Sequence, residues 1–248
     1  MPILFIASLV AQIFCGYHVV KTGQDKYWLF LILMAPGLGC LIYAVAVMLP
    51  SMSNSHQGKQ TMRSIQQKID PTRNIRALQD ELTLRDTPQL RESLADEYMT
   101  LEQFDEAIEQ YQKALTGPNI GNPDTLLKLA NAYFDHGNYN QCLQTLAALL
   151  EHNPSYISQE GHLLQARALH LKGDFAAAEK SYKQVIDYYS GPQAHLHYAN
   201  MLYEQQRYKD AKAQLDEILS YARIAPPHYR RFHKACLAEA KKLLNSLS

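Results

Sequence analysis

The sequence predicts an all-α protein in which a two-helix transmembrane hairpin precedes a solenoid of about four helix–turn–helix repeats with capping helices. Three observations predict this. Two uncharged apolar stretches lie within the first 50 residues, one pattern of small and aromatic residues recurs four times, and turn residues follow it at nearly constant spacing. The organisation expected is a hairpin anchor over residues 1–50, a linker over 51–72 and a helical repeat domain over 73–248.

The predicted anchor consists of two apolar stretches, residues 2–20 and 27–49, neither of which contains a charged residue. Each has about the 20 residues that a helix needs to cross the hydrocarbon core of a bilayer. We therefore expect two transmembrane helices. A cleaved signal peptide is the competing interpretation of the first stretch, but the basic n-region and the small-x-small cleavage site are missing. A buried soluble hairpin is the third interpretation.

The charges that flank the hairpin predict its orientation. A hairpin places the N-terminus and the repeat domain on the same side of a membrane. The connector between the apolar stretches offers Lys21 and Lys26, whereas the segment that follows offers Lys59, Arg63 and Lys68. Because basic residues favour the cytoplasmic side, we expect a protein of the bacterial inner membrane with a cytoplasmic repeat domain.

The second apolar stretch also resembles a known membrane domain, the N-terminal domain of bacterial cardiolipin synthases and other phospholipase-D-like proteins. The residues that carry the resemblance are Tyr27, Trp28, Pro36, Gly39 and Tyr43. The resemblance implies a shared membrane anchor. It implies no lipid chemistry, because the His-x-Lys-x-x-x-x-Asp motif of that superfamily comes nearest at His170 and Lys172, where Ala177 stands in place of the aspartate.

The repeats are marked by residues that return with a period near 34. Turn residues stand at positions 102, 137, 173 and 206, at spacings of 35, 36 and 33. Small residues at 95, 130, 166 and 199 predict close approach of the two helices of each unit. Aromatic residues at 104, 139, 175 and 208 are predicted to fill the wedge between neighbouring units. Because no unit can bury its apolar face alone, the units must stack.

The turns Gly137-Asn138-Tyr139 and Gly173-Asp174-Phe175 resemble the turn consensus of the tetratricopeptide repeat family. The resemblance implies four units over about residues 88–222. An amphipathic helix at 74–86 is predicted to cap the first unit, and a terminal helix at 227–245 to cap the last. It also implies that an extended peptide of a partner protein binds on the concave face, which the first helix of each unit lines.

We call this predicted binding face the groove. Its candidate residues lie on the first helices of units two to four: Leu127, Asn131, Phe134, Leu163, Arg167, His170, Leu196, Asn200 and Tyr203. Amide side chains can donate to and accept from an extended backbone, and aromatic side chains supply contact area at low entropic cost. The alternative is a solvated lining without a ligand. Leu127 occupies the leading lysine position of the chaperone-binding members, so a chaperone tail is not the expected partner.

Charge and motif content exclude several other functions. The formal net charge is zero, and residues 77–221 carry a net charge of −10, which disfavours nucleic-acid binding. Free buried thiols are expected at the four cysteines, Cys15, Cys40, Cys142 and Cys236. His195 and His197 alternate, so on a helix they point to different faces, and no metal site is expected. We expect no cofactor and no catalytic residues.

The function predicted is therefore a membrane-anchored scaffold or adaptor that binds a partner protein or peptide in the groove. Two alternatives stay open, an accessory subunit of a membrane-lipid or envelope-assembly enzyme complex, and a self-associating envelope organiser. The basic terminal segment, with Arg230, Arg231 and Lys234 followed by Lys241 and Lys242, is either a solvated face or a contact for anionic lipid or an acidic partner.

Overall fold

The computed structural model describes residues 2–22, 25, 27–35, 37–48 and 70–247. The chain divides into two compact units, Met1–Arg73 and Asn74–Ser248. Most of the predicted linker, residues 51–69, lies outside the described residues.

The first unit contains three helices, α1 (Pro2–Thr22), α2 (Tyr27–Met34) and α3 (Leu38–Tyr43), followed by a π-helical turn (Ala44–Met48). Their interface is apolar and includes Val19, Ile32 and the fully buried Tyr43. A side chain at Gly39 would lie 2.4 Å from the backbone oxygen of Leu31, so glycine permits the close approach of α3 to α2. A hydrogen bond of 2.8 Å between His18 Nδ1 and the Tyr43 hydroxyl adds a polar link to α1.

The prediction of two transmembrane helices is not supported. Among the residues that the structure describes, no helix is both long enough and apolar enough to cross a bilayer. The predicted second span is interrupted near Gly37, whose φ of +88° is incompatible with a continuous α-helix. The resulting pieces, of 8 and 6 residues, are far shorter than the roughly 20 residues that a crossing needs.

The second unit is the predicted helical solenoid. Its helices are α4 (Arg73–Leu84), α5 (Pro88–Thr100), α6 (Phe104–Ala114), α7 (Pro123–Asp135), α8 (Tyr139–His152), α9 (Gln159–Lys172), α10 (Phe175–Ile186), α11 (Gln193–Glu204), α12 (Tyr208–Ile224), α13 (Pro227–Phe232) and α14 (Lys234–Ser246). The pairs α5–α6, α7–α8, α9–α10 and α11–α12 are the four repeat units.

Polar caps start several of the first helices. The Thr87 hydroxyl accepts a hydrogen bond from the Leu90 amide at 3.3 Å, and Pro88 follows the cap at the start of α5. The Asn122 side chain accepts from two backbone amides of α7 at 3.1 Å each. These side chains satisfy amide groups that have no partner within the helix, which fixes where each helix begins.

The four predicted small residues, Ala95, Ala130, Ala166 and Ala199, are fully buried. In the repeat domain, each apolar core contains side chains from both helices of one repeat unit. A helix of the following unit also contributes, or α14 after the fourth unit. Tyr182 of α10, for example, shares a core with Ala166 of its own unit and with Tyr198 of α11. The last core joins α12 to Leu237 of α14, so α14 covers the apolar end of the fourth unit.

The four predicted turn residues all have positive φ values: 58° at Glu102, 84° at Gly137, 90° at Gly173 and 61° at Gln206. Each turn closes with the same pair of backbone hydrogen bonds. In the third unit the Asp174 amide donates to the Leu169 carbonyl and the Gly173 amide to the His170 carbonyl, both at 2.9 Å. This is the Schellman arrangement that ends a helix through one left-handed residue.

Two sequence expectations need correction here. The aromatic residues that follow the turns do not all fill the wedge between units, because Phe175 and Tyr208 are 37% and 48% exposed. They pack instead across the turn of their own unit, and the Tyr208 ring contacts that of Tyr203 at 5.5 Å. The expected single terminal helix is two helices, α13 and α14, because His233 has φ −95° and ψ 18° and interrupts it.

Candidate functional site

The predicted groove residues lie on α7, α9 and α11, and in the stack α9 contacts both α7 and α11. The structure brings four of the nine to one place. Arg167, His170, Asn200 and Tyr203 line an open cavity of about 300 Å³ between the third and fourth units. The side chains of Leu171, Tyr182, His197 and Glu204 complete the lining.

Arg167 is held on an aromatic ring. Its guanidinium carbon lies 4.4 Å from the centre of the Phe134 ring of the preceding unit. Phe134 is only 7% exposed, and its other contacts include the Tyr139 ring at 5.6 Å. Across the described residues, the guanidinium makes no hydrogen bond and no ion pair. The ring therefore positions a cation whose hydrogen-bond donors stay available.

His170 and Glu204 form a polar pair across neighbouring units. Their side chains meet at 2.8 Å, and His170 is 8% exposed. The His170 ring also contacts the rings of Phe175 and Tyr182. Because Glu204 and the aromatic contacts hold the imidazole in one orientation, His170 forms a fixed wall of the cavity.

His197 was not among the predicted groove residues, yet it lines the same cavity. Burial, the Arg167 guanidinium and His170 together lower the pKa of His197 to about 4. The imidazole is therefore neutral near pH 7, and one ring nitrogen can accept a hydrogen bond while the other donates. The sequence analysis considered His197 only together with His195 as a metal ligand. A signal was available, because His197 lies three residues before the predicted groove residue Asn200 and so shares its helix face.

Tyr182 is another of the four lining residues that the sequence did not indicate. It reaches the cavity from α10, the second helix of its unit, whereas the prediction considered only first helices. Its side chain is fully buried and its ring stacks on Tyr198 at 5.6 Å. Among the residues that the structure describes, the Tyr182 hydroxyl has no hydrogen-bond partner. Burial raises the pKa of this hydroxyl, so it stays a neutral donor.

The remaining predicted residues contribute less to a binding surface. Leu163 and Leu196 are 6% and 3% exposed and belong to apolar cores. The Asn131 side-chain amide donates to the Leu127 carbonyl at 2.9 Å, one turn earlier in α7. Leu127 is half-buried beside the apolar core of the second repeat unit, α7–α8. Leu163 and Leu196 therefore belong to the packed interior, whereas Leu127 and Asn131 are partly buried and lie outside the cavity lining.

Other polar clusters connect the units outside the cavity. Lys128 of α7 donates to Asp96 of α5 at 2.7 Å, and the Tyr111 hydroxyl also donates to Asp96. In the second half, Glu179 accepts from Arg207 at 2.7 Å and from the Tyr198 hydroxyl at 3.1 Å. Both clusters are saturated by side chains of this chain and so serve the structure of the array.

The cysteines and the alternating histidines are not reactive centres in the described part of the chain. All four cysteines are free thiols, and burial raises the pKa of Cys142 to about 12 and that of Cys236 to about 11. His195 pairs with Gln214 at 2.9 Å, away from His197. No cluster of metal-ligating side chains is present among the residues that can be described.

Comparisons with known proteins agree with this architecture. Sequence models of the tetratricopeptide repeat match residues 98–168 and 163–228. No curated protein matches the chain.

Solved structures with a similar fold share little sequence with this chain. A tetratricopeptide repeat protein from Parabacteroides merdae is 16% identical, with a TM-score of 0.56, over 98% of this chain and 94% of its own. The MamA protein of Desulfovibrio magneticus RS-1 is 14% identical, with a TM-score of 0.55, over 66% and 93%. PilF of Pseudomonas aeruginosa is 17% identical, with a TM-score of 0.53, over 76% and 86%.

At these identities the structural likeness shows the fold alone. The family matches run without a gap from 98 to 228, which is more than half of the chain, and they coincide with the repeat units seen in the structure. Proteins of this family commonly mediate protein–protein interactions. Through these repeats, the chain belongs to the tetratricopeptide repeat family.

Proposed function

We propose that this protein is a non-enzymatic scaffold that binds a segment of a partner protein in the groove, with its main contact at the cavity around Arg167. The observation that carries the proposal is the Arg167 guanidinium, which lies over the Phe134 ring and forms no ion pair or hydrogen bond with the residues that the structure describes. A cation placed in this way is ready to bind a carboxylate or a backbone carbonyl of a ligand.

The groups around Arg167 support a ligand that carries both charge and hydrogen-bonding atoms. The buried Tyr182 hydroxyl has no partner in the described part of the chain, and buried polar groups are normally hydrogen-bonded. Asn200 and the neutral His197 can each donate and accept. Tyr203 offers a partly exposed ring next to them. An extended acidic segment of a partner supplies acceptors for Arg167 and Tyr182 and backbone groups for Asn200.

Site-specific photo-crosslinking tests the proposal in the native cell. A photoreactive residue at Tyr203 is the best probe, because Tyr203 is half-exposed and lines the cavity. Phe134 is a poor second position because it is 7% exposed. We expect a discrete adduct with another protein, and we expect Arg167→Gln to remove it.

The matched control is Lys180→Gln, which removes one positive charge from an exposed position on α10. The adduct should survive this change. An adduct that survives Arg167→Gln as well, or the lack of any adduct, would overturn the groove as the binding site. Adducts with the same chain alone would instead favour the self-associating organiser, in which the groove binds a neighbouring copy.

We propose further that the N-terminal compact unit, which contains α1 to α3, attaches the repeats to a lipid bilayer. The supporting observation is the exposed apolar surface of the hairpin, where Phe14, Phe30 and Leu33 are 59%, 65% and 76% exposed. Large exposed apolar patches mark sites of contact with membranes or other proteins. Flotation of the full chain with phosphatidylcholine vesicles tests this. Replacing the three residues by Gln should abolish flotation, and unchanged flotation would contradict the attachment.

The proposed location is the cytoplasmic face of the bacterial inner membrane, as the flanking basic residues suggest. A cysteine introduced at the exposed Ser190 reports the side, because burial raises the pKa of the native Cys142 and Cys236 thiols and suppresses their labelling. A membrane-impermeant maleimide should label Ser190→Cys after lysis only. Labelling in intact cells would place the repeats on the outer side.

A further inference from the structure

The C-terminal end of the repeat domain contains a second open cavity, of about 340 Å³, between α12, α13 and α14. Leu219, Ala222 and Leu237 form its apolar part. Its other lining residues are all cations, Arg223, Arg230 and Lys241. Three positive side chains from three different helices therefore border one concave surface.

These three cations lack partners in the described part of the chain: none forms an ion pair or a side-chain hydrogen bond. Some other cations of the array are paired, as in Arg207 with Glu179 and Lys128 with Asp96. Arg223 lies in the last turn of α12, where a cation is favoured by the helix dipole. This explanation does not apply to Lys241, which lies in the middle of α14. Like charges that border one cavity repel, and a bound anion removes that cost.

We propose that this cavity binds the phosphate group of an organic phosphate ester. Arginine forms paired hydrogen bonds to phosphate oxygens, and lysine adds a point charge. A single carboxylate would leave most of the positive charge uncompensated, whereas a phosphate offers several acceptor oxygens to the three side chains. The apolar part of the lining fits the organic portion of an ester better than a free inorganic ion.

A phosphate ester reaches this site from a lipid headgroup or from a soluble metabolite, and the surrounding surface favours the lipid. Ile224 and Phe232, which are 83% and 82% exposed, belong to α12 and α13, the helices that supply Arg223 and Arg230. Exposed apolar residues among arginines and lysines are typical of surfaces that lie on anionic membranes. This proposal does not depend on a ligand in the groove.

The test compares two variants of the full chain that lose the same charge from the same segment. The site variant is Arg223→Gln, Arg230→Gln and Lys241→Gln. The control variant is Arg231→Gln, Lys234→Gln and Lys242→Gln, because these exposed cations lie outside the cavity lining. Each protein is floated with vesicles of phosphatidylcholine alone and with vesicles that also contain phosphatidylglycerol. The quantity compared between the proteins is the increase in vesicle binding that phosphatidylglycerol causes.

The difference in binding between the two vesicle types does not include attachment through the N-terminal compact unit, because that unit is identical in all three proteins. We expect the site variant to lose about tenfold more of the phosphatidylglycerol-dependent affinity than the control variant, since a shaped site adds hydrogen bonds to the general attraction between each cation and the anionic surface. Equal losses would mean diffuse attraction by a basic surface and would overturn the site. Unchanged vesicle binding of both variants would exclude the lipid as the source of the ester, and it would overturn the site if glycerol 3-phosphate also leaves the Tm of the wild-type protein unchanged.

Thermal unfolding with glycerol 3-phosphate distinguishes the two sources. If the ligand is a soluble ester, the compound should raise the Tm of the wild-type and control proteins and leave the site variant unchanged, while vesicle binding is the same in all three. That result would retain the phosphate site and change its source. A charge-retaining variant, Arg230→Lys, should weaken either response, because lysine cannot form the paired hydrogen bonds of arginine.

Discussion

Gln206 adopts the same left-handed backbone conformation as Gly173, with φ values of 61° and 90°, at equivalent turns of consecutive repeats. Both turns are closed by two backbone hydrogen bonds of 2.9 Å. Glycine takes this conformation without steric cost, whereas other residues pay about 1–2 kcal/mol. Two of the four turns, at Glu102 and Gln206, therefore carry strain that the glycine turns avoid.

Replacing these strained residues by glycine should stabilise the protein. For Glu102→Gly and Gln206→Gly we expect a gain of about 0.5–1 kcal/mol each, since part of the relief is offset by the greater flexibility of glycine in the unfolded chain. Urea denaturation followed by circular dichroism measures the change. The control is Gln103→Gly, at φ −87°, which should destabilise. A loss of stability in the two turn variants would contradict the strain.

The small residues between paired helices should not tolerate enlargement. Ala166 is fully buried in the core of the third unit, so Ala166→Leu has no space for the added carbons. We expect a loss of about 1–3 kcal/mol in the free energy of unfolding. The same change at the exposed Ala176 should have little effect. Equal stabilities for the two variants would show that the helices can separate to accept a larger side chain.

Removal of the unpartnered hydroxyl of Tyr182 should stabilise the free protein. Tyr182→Phe keeps the ring stacked on Tyr198 and removes a buried polar atom that has no partner. We expect a gain of about 1 kcal/mol in the free energy of unfolding, because an unsatisfied buried polar group is costly. The same change at Tyr111 should destabilise, because the Tyr111 hydroxyl donates to Asp96.

The role proposed for the cavity gives this variant a second outcome. If the Tyr182 hydroxyl binds the partner, Tyr182→Phe should weaken the crosslink formed from Tyr203 although the protein is more stable. A crosslink of unchanged yield would exclude the hydroxyl from the binding contact. A loss of stability in Tyr182→Phe would instead indicate a hydrogen bond to a bound water.

The Glu179 cluster should make stability depend on acid pH. Hydrogen bonds from Arg207, Lys183 and Tyr198 lower the pKa of Glu179 from 4.5 to about 2. A carboxylate whose pKa is lower in the folded state stabilises the protein above the unfolded pKa, and this contribution is lost as the pH falls. We expect a loss of about 1 kcal/mol between pH 4.5 and about 2, reduced from the full shift by solvent screening.

Glu179→Gln tests the origin of this dependence. The variant should be less stable than the wild type near neutral pH and should lose less stability on acidification, as measured by urea denaturation at several pH values. The control is Glu151→Gln, an exposed carboxylate on α8 that forms no ion pair in the part of the chain described here. A pH profile identical to that of the wild type in Glu179→Gln would assign the acid sensitivity to other groups.

The sequence alone determined the repeat architecture, because its signals are local. The period near 34, the buried alanines and the four turn positions were all predicted, and the turns at Glu102 and Gln206 were located without a glycine. The ends of helices and the pairing of adjacent helices depend on residues that are close in the sequence, so the sequence alone is enough to place them. The sequence marks an interruption of the second apolar stretch at residues 35–40. Two short helices in place of one span were not predicted, since the apolar character of residues 27–49 favoured a membrane crossing.

Only the tertiary structure decided which side chains meet. The rotation from one repeat unit to the next brings Arg167 onto Phe134. The same rotation buries Leu163 and Leu196, although both were predicted to line the groove with Arg167. The same rotation turns Tyr182 of a second helix into the cavity. The terminal cations gather because α12, α13 and α14 converge. These contacts depend on the packing angles between helices. The side-chain volumes of the whole stack determine those angles, so no local sequence pattern predicts them.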